Sequence, residues 1–265
     1  MNNNFFDSHA HYDDPRFEAE FVGGGEEAIK KSRMSGVSRI INVGSNIETS
    51  EHSIAIAEKF DFIFAAVGIH PSDAQNISES DITGALSEID RLASSSKKVV
   101  SIGEIGFDYH YDGTDKERQK YFFNAQIEIA RKKSLPVIIH TRDAISDTVD
   151  LLRKSSYSNG VIHSFSGSAE IARQLSSDGW YISFSGPVTY KNAPKIKEAA
   201  RIIPDEMLLI ETDSPYLTPH PHRGEINYSG YLNYICAALA ELRGTTPEYI
   251  AELTYRNACR LFGIK

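Results

Sequence analysis

Cysteine, tryptophan and methionine are scarce in this chain, with two, one and three copies among 265 residues. Cys236 and Cys259 lie far apart and unaccompanied. That excludes a disulfide framework or a cysteine-based zinc site and leaves two small hydrophobes suited to burial. No stretch approaches the ~18 consecutive apolar residues of a membrane span. The opening Met1-Asn2-Asn3-Asn4 shows no basic region followed by a long apolar one, so a soluble cytoplasmic protein is expected, with no membrane partner. Positive charge is in deficit as well, with a formal net charge of −8. This argues against a protein that coats nucleic acid by bulk electrostatics. It leaves room for a nuclease, because bound metal ions and a few local Arg or Lys can still draw phosphate. No linker, low-complexity run or internal repeat divides the chain, and no segment marks an obligatory protein partner.

What is present is an alternation. Short apolar runs that read as strands occur at Phe5–His11, Val37–Gly44, Ile63–His70, Val99–Gly106, Pro136–His140, Val161–Phe165, Tyr181–Ser185 and Met207–Asp213. Helical spacing separates them. The stretch Glu26–Ser35 carries Ala28, Ile29 and Met34 on its apolar side and is stopped by Gly36. Ile47–Phe60 opens on a Ser45/Asn46 cap, and Phe122, Phe123, Ile127, Ile129 and Ala130 recur at helical spacing within Thr114–Ser134. The tail from Ser229 to Phe262 reads as two or three helices, with Pro247 opening one of them. Eight strands in 265 residues leave about 33 residues per strand–helix unit, which suits an α/β fold of the (β/α)8 TIM-barrel type as a single domain over residues 1–265. The runner-up is an open doubly wound sheet, weakened by the lack of a glycine-rich phosphate fingerprint after the first strand.

In such a barrel the active-site groups stand at the C-terminal ends of the strands. The polar residues there are His9 and His11, His70, Glu104, His140, His163 and Asp213. In a strand, residues i and i+2 face the same way, so His9 and His11 converge on one point. Four histidines (9, 11, 140, 163) with Glu104 and Asp213 exceed the roughly four ligands of one tetrahedral ion. They suit two divalent ions about 3.5–4 Å apart. Glu104 is the natural bridge, with His9, His11 and Asp213 on one ion and His140 and His163 on the other. Mg, Mn and Zn all fit such donors. Asp213 and Glu104 are the expected catalytic carboxylates, with Asp213 holding the attacking water. Asp7 and Glu211 share the inward parity but lie deeper, and read as hydrogen-bonding support. His70 is either structural or a substrate contact. Arg142 and Arg223 either clamp a phosphate or form surface ion pairs. Asp108 either orients a ligand or caps a turn. His52, His110, His220 and His222 read mainly as exposed.

Six segments carry a family resemblance. Asp7-Ser8-His9-Ala10-His11, Gly68-Ile69-His70-Pro71, Gly103-Glu104-Ile105-Gly106-Phe107-Asp108, Pro136-Val137-Ile138-Ile139-His140-Thr141-Arg142-Asp143, His163-Ser164-Phe165-Ser166-Gly167 and Glu211-Thr212-Asp213-Ser214-Pro215-Tyr216-Leu217 resemble the TatD family of metal-dependent hydrolases and deoxyribonucleases, one of the amidohydrolase-like barrels. Asn257-Ala258-Cys259-Arg260-Leu261-Phe262-Gly263 looks like that family's C-terminal helix. The resemblance implies a divalent-metal site on the same six ligands and hydrolysis of phosphodiester bonds in DNA. One stretch departs from it. Relatives usually carry Arg-Asn-Glu-Pro after the last motif, and this chain has Ile226-Asn227-Tyr228-Ser229.

The expected activity is therefore a two-metal phosphodiesterase acting as an exonuclease on DNA, with single strands, ends or short pieces favoured by the acidic net charge. Phe107, Tyr109, Tyr111, Tyr190 and Tyr216 are candidate stacking surfaces for unpaired bases. The alternative keeps the metal hydrolase but cleaves an ester, amide or lactone. A non-catalytic binding protein is a third reading, opposed by the complete ligand set.

Overall fold

The computed structural model describes residues 4–265. Residues 1–3, included in the reading that the start carries no targeting signal, lie outside the described residues. Along the chain run β1 (Phe5–Ala10), α1 (Phe17–Glu20), α2 (Gly24–Met34), β2 (Val37–Val43), α3 (Ile47–Lys59), β3 (Ile63–Val67), α4 (Pro71–Ala74) and α5 (Ile82–Leu92). They are followed by β4 (Val99–Asp108), α6 (Lys116–Lys133), β5 (Val137–Arg142), α7 (Ile145–Ser155), β6 (Gly160–Ile162) and α8 (Ala169–Ser177). The chain closes with β7 (Tyr181–Phe184), α9 (Pro194–Ile202), β8 (Leu208–Ile210), α10 (Leu232–Arg243) and α11 (Pro247–Phe262). The eight strands form one sheet in the order β1 to β8. The first and last strands meet beyond their ends, where Asp213 N–H donates to His9 O at 2.9 Å, His11 N–H donates to Ser214 O at 2.8 Å, and Ala10 and Ser214 form a parallel bridge. That junction separates a (β/α)8 barrel from an open doubly wound sheet. No helix among the described residues is long and apolar enough to cross a membrane.

The chain divides into two compact units, residues 4–42 with 163–265 and residues 43–162. In the first, β1 is buried along its whole length and pairs in parallel with β2. Near-continuous burial is what parallel strands under helices require, and it explains their unbroken apolar runs. Helices start where side chains can satisfy their free N–H groups: Ser168 accepts from Ile171 N–H and Thr246 from Tyr249 N–H. Pro247 occupies the first turn of α11 as its fixed φ favours. In the second unit, Asn46 and Thr49 form a reciprocal capping box on α3, and Asp115 caps α6. Strands β3, β4, β5 and β6 run parallel and in order.

Two details differ from the sequence reading. Met34 is 87% exposed instead of apolar-side. At 100° per residue it lies about 140° round the helix from Ile29, outside the buried stripe of Ala28, Ile29 and Ser32. Strands β3, β6 and β8 stop at Val67, Ile162 and Ile210, so His70, His163 and Asp213 sit on the following turns. Asp213 and Ser164 adopt positive φ, 57° and 42°. These segments must leave the ladder to bring their side chains over the strand ends.

Gly106 shows how closely β4 and β5 approach where they carry site residues. It pairs with His140, has φ 145°, and a Cβ there would lie 2.0 Å from His140 O. Gly106→Ala combines a forbidden backbone angle with a clash against backbone, so it is expected to destabilise by about 2 kcal/mol or more. Urea unfolding should show a lower midpoint with an unchanged slope.

Candidate metal centre

The first unit gathers His9, His11 and Asp213, whose ligand atoms all lie within 4.8 Å of one another. His9 and His11 follow the strand parity and point together, Nε2 to Nε2 at 3.0 Å. Asp213 Oδ1 stands 3.7 Å from His9 Nε2 and 3.5 Å from His11 Nε2. The His163 ring stacks on His9 at 4.1 Å, and its Nδ1 faces Glu211 Oε1 at 3.2 Å. Glu211 Oε1 also accepts from Ser164 N–H at 2.6 Å, so this carboxylate sets both the ring and the turn that carries it. Burial acts to raise the Asp213 carboxyl. The hydrogen bond from His11 and the imidazoles of His9, His163 and His11 outweigh it and hold the group below the usual carboxylate range.

The second unit gathers His70, Glu104 and His140 within the same 4.8 Å limit. His140 lies between two carboxylates, with Nδ1 2.6 Å from Glu104 Oε1 and Nε2 3.3 Å from Asp108 Oδ2. Burial pushes the Asp108 carboxyl up, but hydrogen bonds from His140 and His110 N–H bring it below its ordinary value. His70 is differently placed. Its Nδ1 accepts from Ser72 N–H at 3.1 Å, capping α4. The neutral ring therefore carries its proton on Nε2, which faces Glu104 Oε1 at 3.8 Å. A protonated Nε2 donates hydrogen bonds and does not ligate a cation, which separates His70 from the ligand histidines.

The remaining predicted residues flank these groups. Arg142 lies 5.8 Å from the Tyr111 ring centre in the second unit, and Arg223 lies 4.3 Å over Tyr190 in the first. Tyr111 and Tyr216 are exposed, whereas Phe107 is buried to 2% and cannot offer a stacking face. His222 is held by Glu225 and Tyr234 and stacks on Tyr231, so it is more tightly bound than a merely exposed loop histidine.

Several supporting residues escaped sequence reasoning. Gln126 on α6 clasps Ile69 from both sides, accepting from its N–H at 2.7 Å and donating to its carbonyl at 3.0 Å. Gln119, two turns earlier, does the same to Asp108 at 2.9 Å in each direction. Two amides on the buried face of an amphipathic helix were the available signal. Asp108 was signalled by parity, standing at i+4 from Glu104 in one strand. Asn227 donates to Thr212 O at 2.9 Å and to Tyr216 O at 2.6 Å, clipping the loop after β8. Asp7 was read correctly as support. Its recorded partners are Thr212 N–H and hydroxyl, Ser229 hydroxyl and His9 N–H.

The donor set fits divalent cations. It combines imidazoles with carboxylates, of which Asp213 is held ionised, and Glu211 Oε2 is buried with no hydrogen-bond partner among the described residues. His9, His11 and Asp213 would hold one ion and Glu104 with His140 would supply donors to another, while His163, expected beside His140, stacks against His9 in the first unit.

Donor clusters able to hold divalent ions, at the strand ends of a (β/α)8 barrel, define the class: a metal-dependent hydrolase. Residues 6–263 match the family described as TatD related DNase. The Bacillus subtilis (strain 168) protein YabD, described as an uncharacterized metal-dependent hydrolase, is 44% identical over 261 residues, covering 98% of this chain and 99% of that one. YcfH of Escherichia coli (strain K12), described in the same words, is 35% identical over 260 residues, 97% of this chain and 95% of its own. The crystal structure of YjjV, a TatD homologue from Escherichia coli K12, matches with a TM-score of 0.92 at 30% identity over 100% of both chains. The chain belongs to the TatD family of metal-dependent hydrolases.

Metal binding to the native state raises stability by about 2.7 kcal/mol at a hundredfold excess over Kd. Chelator-stripped protein is expected to melt about 5 °C or more higher when Zn²⁺ or Mn²⁺ is restored. Asp213→Asn should remove most of that rise in differential scanning calorimetry while leaving the metal-free melting temperature nearly unchanged.

Proposed function

We propose that this protein is a deoxyribonuclease that hydrolyses phosphodiester bonds of DNA with two divalent ions, working on single strands or ends. The observation that carries the reading is the pair of acid–imidazole clusters, one in each unit, because phosphodiester cleavage needs charge stabilisation on both the attacking and the leaving oxygen. The family description as DNases supports the choice of substrate. When bound, the ions supply Lewis acidity to the phosphate oxygens and acidify a water molecule.

The chain's own residues do the rest. Asp213, ionised because the surrounding imidazoles outweigh burial, accepts the proton given up by the attacking water. Glu104, beside His140, would supply a carboxylate donor to a bound ion. His70, with its proton on Nε2, donates to a non-bridging phosphate oxygen. Arg142 and Arg223 face the flanking phosphates as charge-assisted donors. Tyr111 and Tyr216 offer exposed rings to unpaired bases.

End-labelled single- and double-stranded oligonucleotides, each incubated with Mg²⁺, Mn²⁺ or Zn²⁺, test this. Stepwise shortening of the single strand is expected. Glu104→Gln and Asp213→Asn should each slow it by about 10²-fold or more, in keeping with losing a positioned proton-transfer or ion-holding group. Cleavage that survives both substitutions would sink the mechanism. Metal-loaded protein that ignores DNA but turns over a carboxylic ester or lactone would move the assignment to that bond.

A further inference from the structure

Ser229 lies between β8 and α10. It is fully buried and opens the 3-10 turn Ser229–Tyr231 ahead of α10. Both of its donors are used. Its backbone N–H donates to the Tyr12 phenol oxygen at 3.0 Å, and its hydroxyl donates to Asp7 Oδ2 at 2.5 Å. The Tyr12 hydroxyl lies 2.7 Å from Ser229 Oγ and 2.9 Å from Ser32 Oγ, while Ser32 donates to Ala28 O at 2.7 Å. The direction of these bonds is constrained. The Ser229 and Ser32 hydroxyl protons are committed to Asp7 and Ala28 O, so the single Tyr12 O–H proton serves Ser229 Oγ or Ser32 Oγ.

Asp7 connects this chain to the metal centre. Its Oδ1 accepts from His9 N–H at 3.3 Å and from Thr212 N–H at 2.9 Å, and its Oδ2 accepts from the Thr212 hydroxyl at 2.5 Å. His9 is a ligand, and Thr212 immediately precedes Asp213, whose φ of 57° leaves its backbone in the left-handed region. A side chain projecting from a strained residue keeps its aim only if the neighbouring backbone is pinned.

We propose that Ser229 is a positioning residue of the metal centre: together with Tyr12 it fixes Asp7, and Asp7 fixes the backbone that aims His9 and Asp213 at one ion. The inference rests on the metal centre and not on DNA as the substrate.

The test is Zn²⁺ titration of chelator-stripped full-length protein by calorimetry, well below the melting temperature. Ser229→Ala should weaken Zn²⁺ binding about tenfold, the lower end for losing an outer partner of a ligand. Tyr12→Phe, which keeps the ring but not the hydroxyl, should weaken it about threefold by the same reasoning. Phe17→Leu is the packing control. Phe17 stacks on Tyr12 at 5.0 Å without entering the hydrogen-bond chain, so this variant should melt earlier yet bind Zn²⁺ as wild type does. A folded Ser229→Ala that binds Zn²⁺ within twofold of wild type overturns the proposal. So does a Phe17→Leu variant that loses as much affinity as Ser229→Ala. If Ser229→Ala does not fold, Tyr12→Phe decides: wild-type affinity overturns the brace, and weakened affinity supports it.

Discussion

A carboxylate with no solvent exposure must have its lone pairs satisfied, and Asp7 is such a group at the base of the first ligand pair. Burial pushes its carboxyl up to about 7 even with hydrogen bonds from Ser229, Thr212 and His9 pulling it down. Meeting this one requirement brings three distant segments together: β1, the turn after β8 and the entry to α10. These are also the segments that join the first and last strands of the sheet. Barrel closure and ligand placement are therefore the same set of contacts, read at different depths.

The second unit reaches its geometry by another route. There two glutamines of α6 gather the backbone. Gln126 holds the residue before His70 and Gln119 holds Asp108. An amide that both donates to and accepts from one residue imitates a strand neighbour. It can therefore brace a chain that has just left the ladder. In each unit a turn that carries a site residue has left the ladder and is braced by a buried polar side chain. This is the arrangement expected when exact placement of a donor matters more than a regular backbone.

Much of this was legible in the sequence. Strand–helix alternation identified all eight strands, because parallel strands buried on both faces read as short apolar runs. Period-two parity predicted the convergence of His9 and His11 and the depth of Asp7. Other features were hidden for physical reasons. Short helices α1 and α4 are too brief to show a period. Met34 looked apolar-side because a residue type was weighed without its angle round the helix. The capping role of His70 depends on which ring nitrogen meets Ser72 N–H, which no residue pattern encodes. Ser229 looked like a simple loss of Glu-Pro at the mouth; only its burial and its bonds to Asp7 and Tyr12 show that the position points inward.

Charge remains to be reconciled with the proposed substrate. A chain of net charge −8 cannot hold a long polyanion by its overall field. Several cations that follow strand ends are paired with a ring: Arg16 with Tyr216 at 4.4 Å, Lys116 with Tyr109 at 4.1 Å, and Arg223 with Tyr190 at 4.3 Å. Such pairing holds a flexible cation near an aromatic face without neutralising it. On the DNA reading, attraction is then confined to a few phosphates beside the ions, while the acidic remainder repels the rest of a long duplex. Local cation–ring pairs on an acidic body thus favour engagement of a short or terminal stretch, the only stretch that must enter for one bond to be cut.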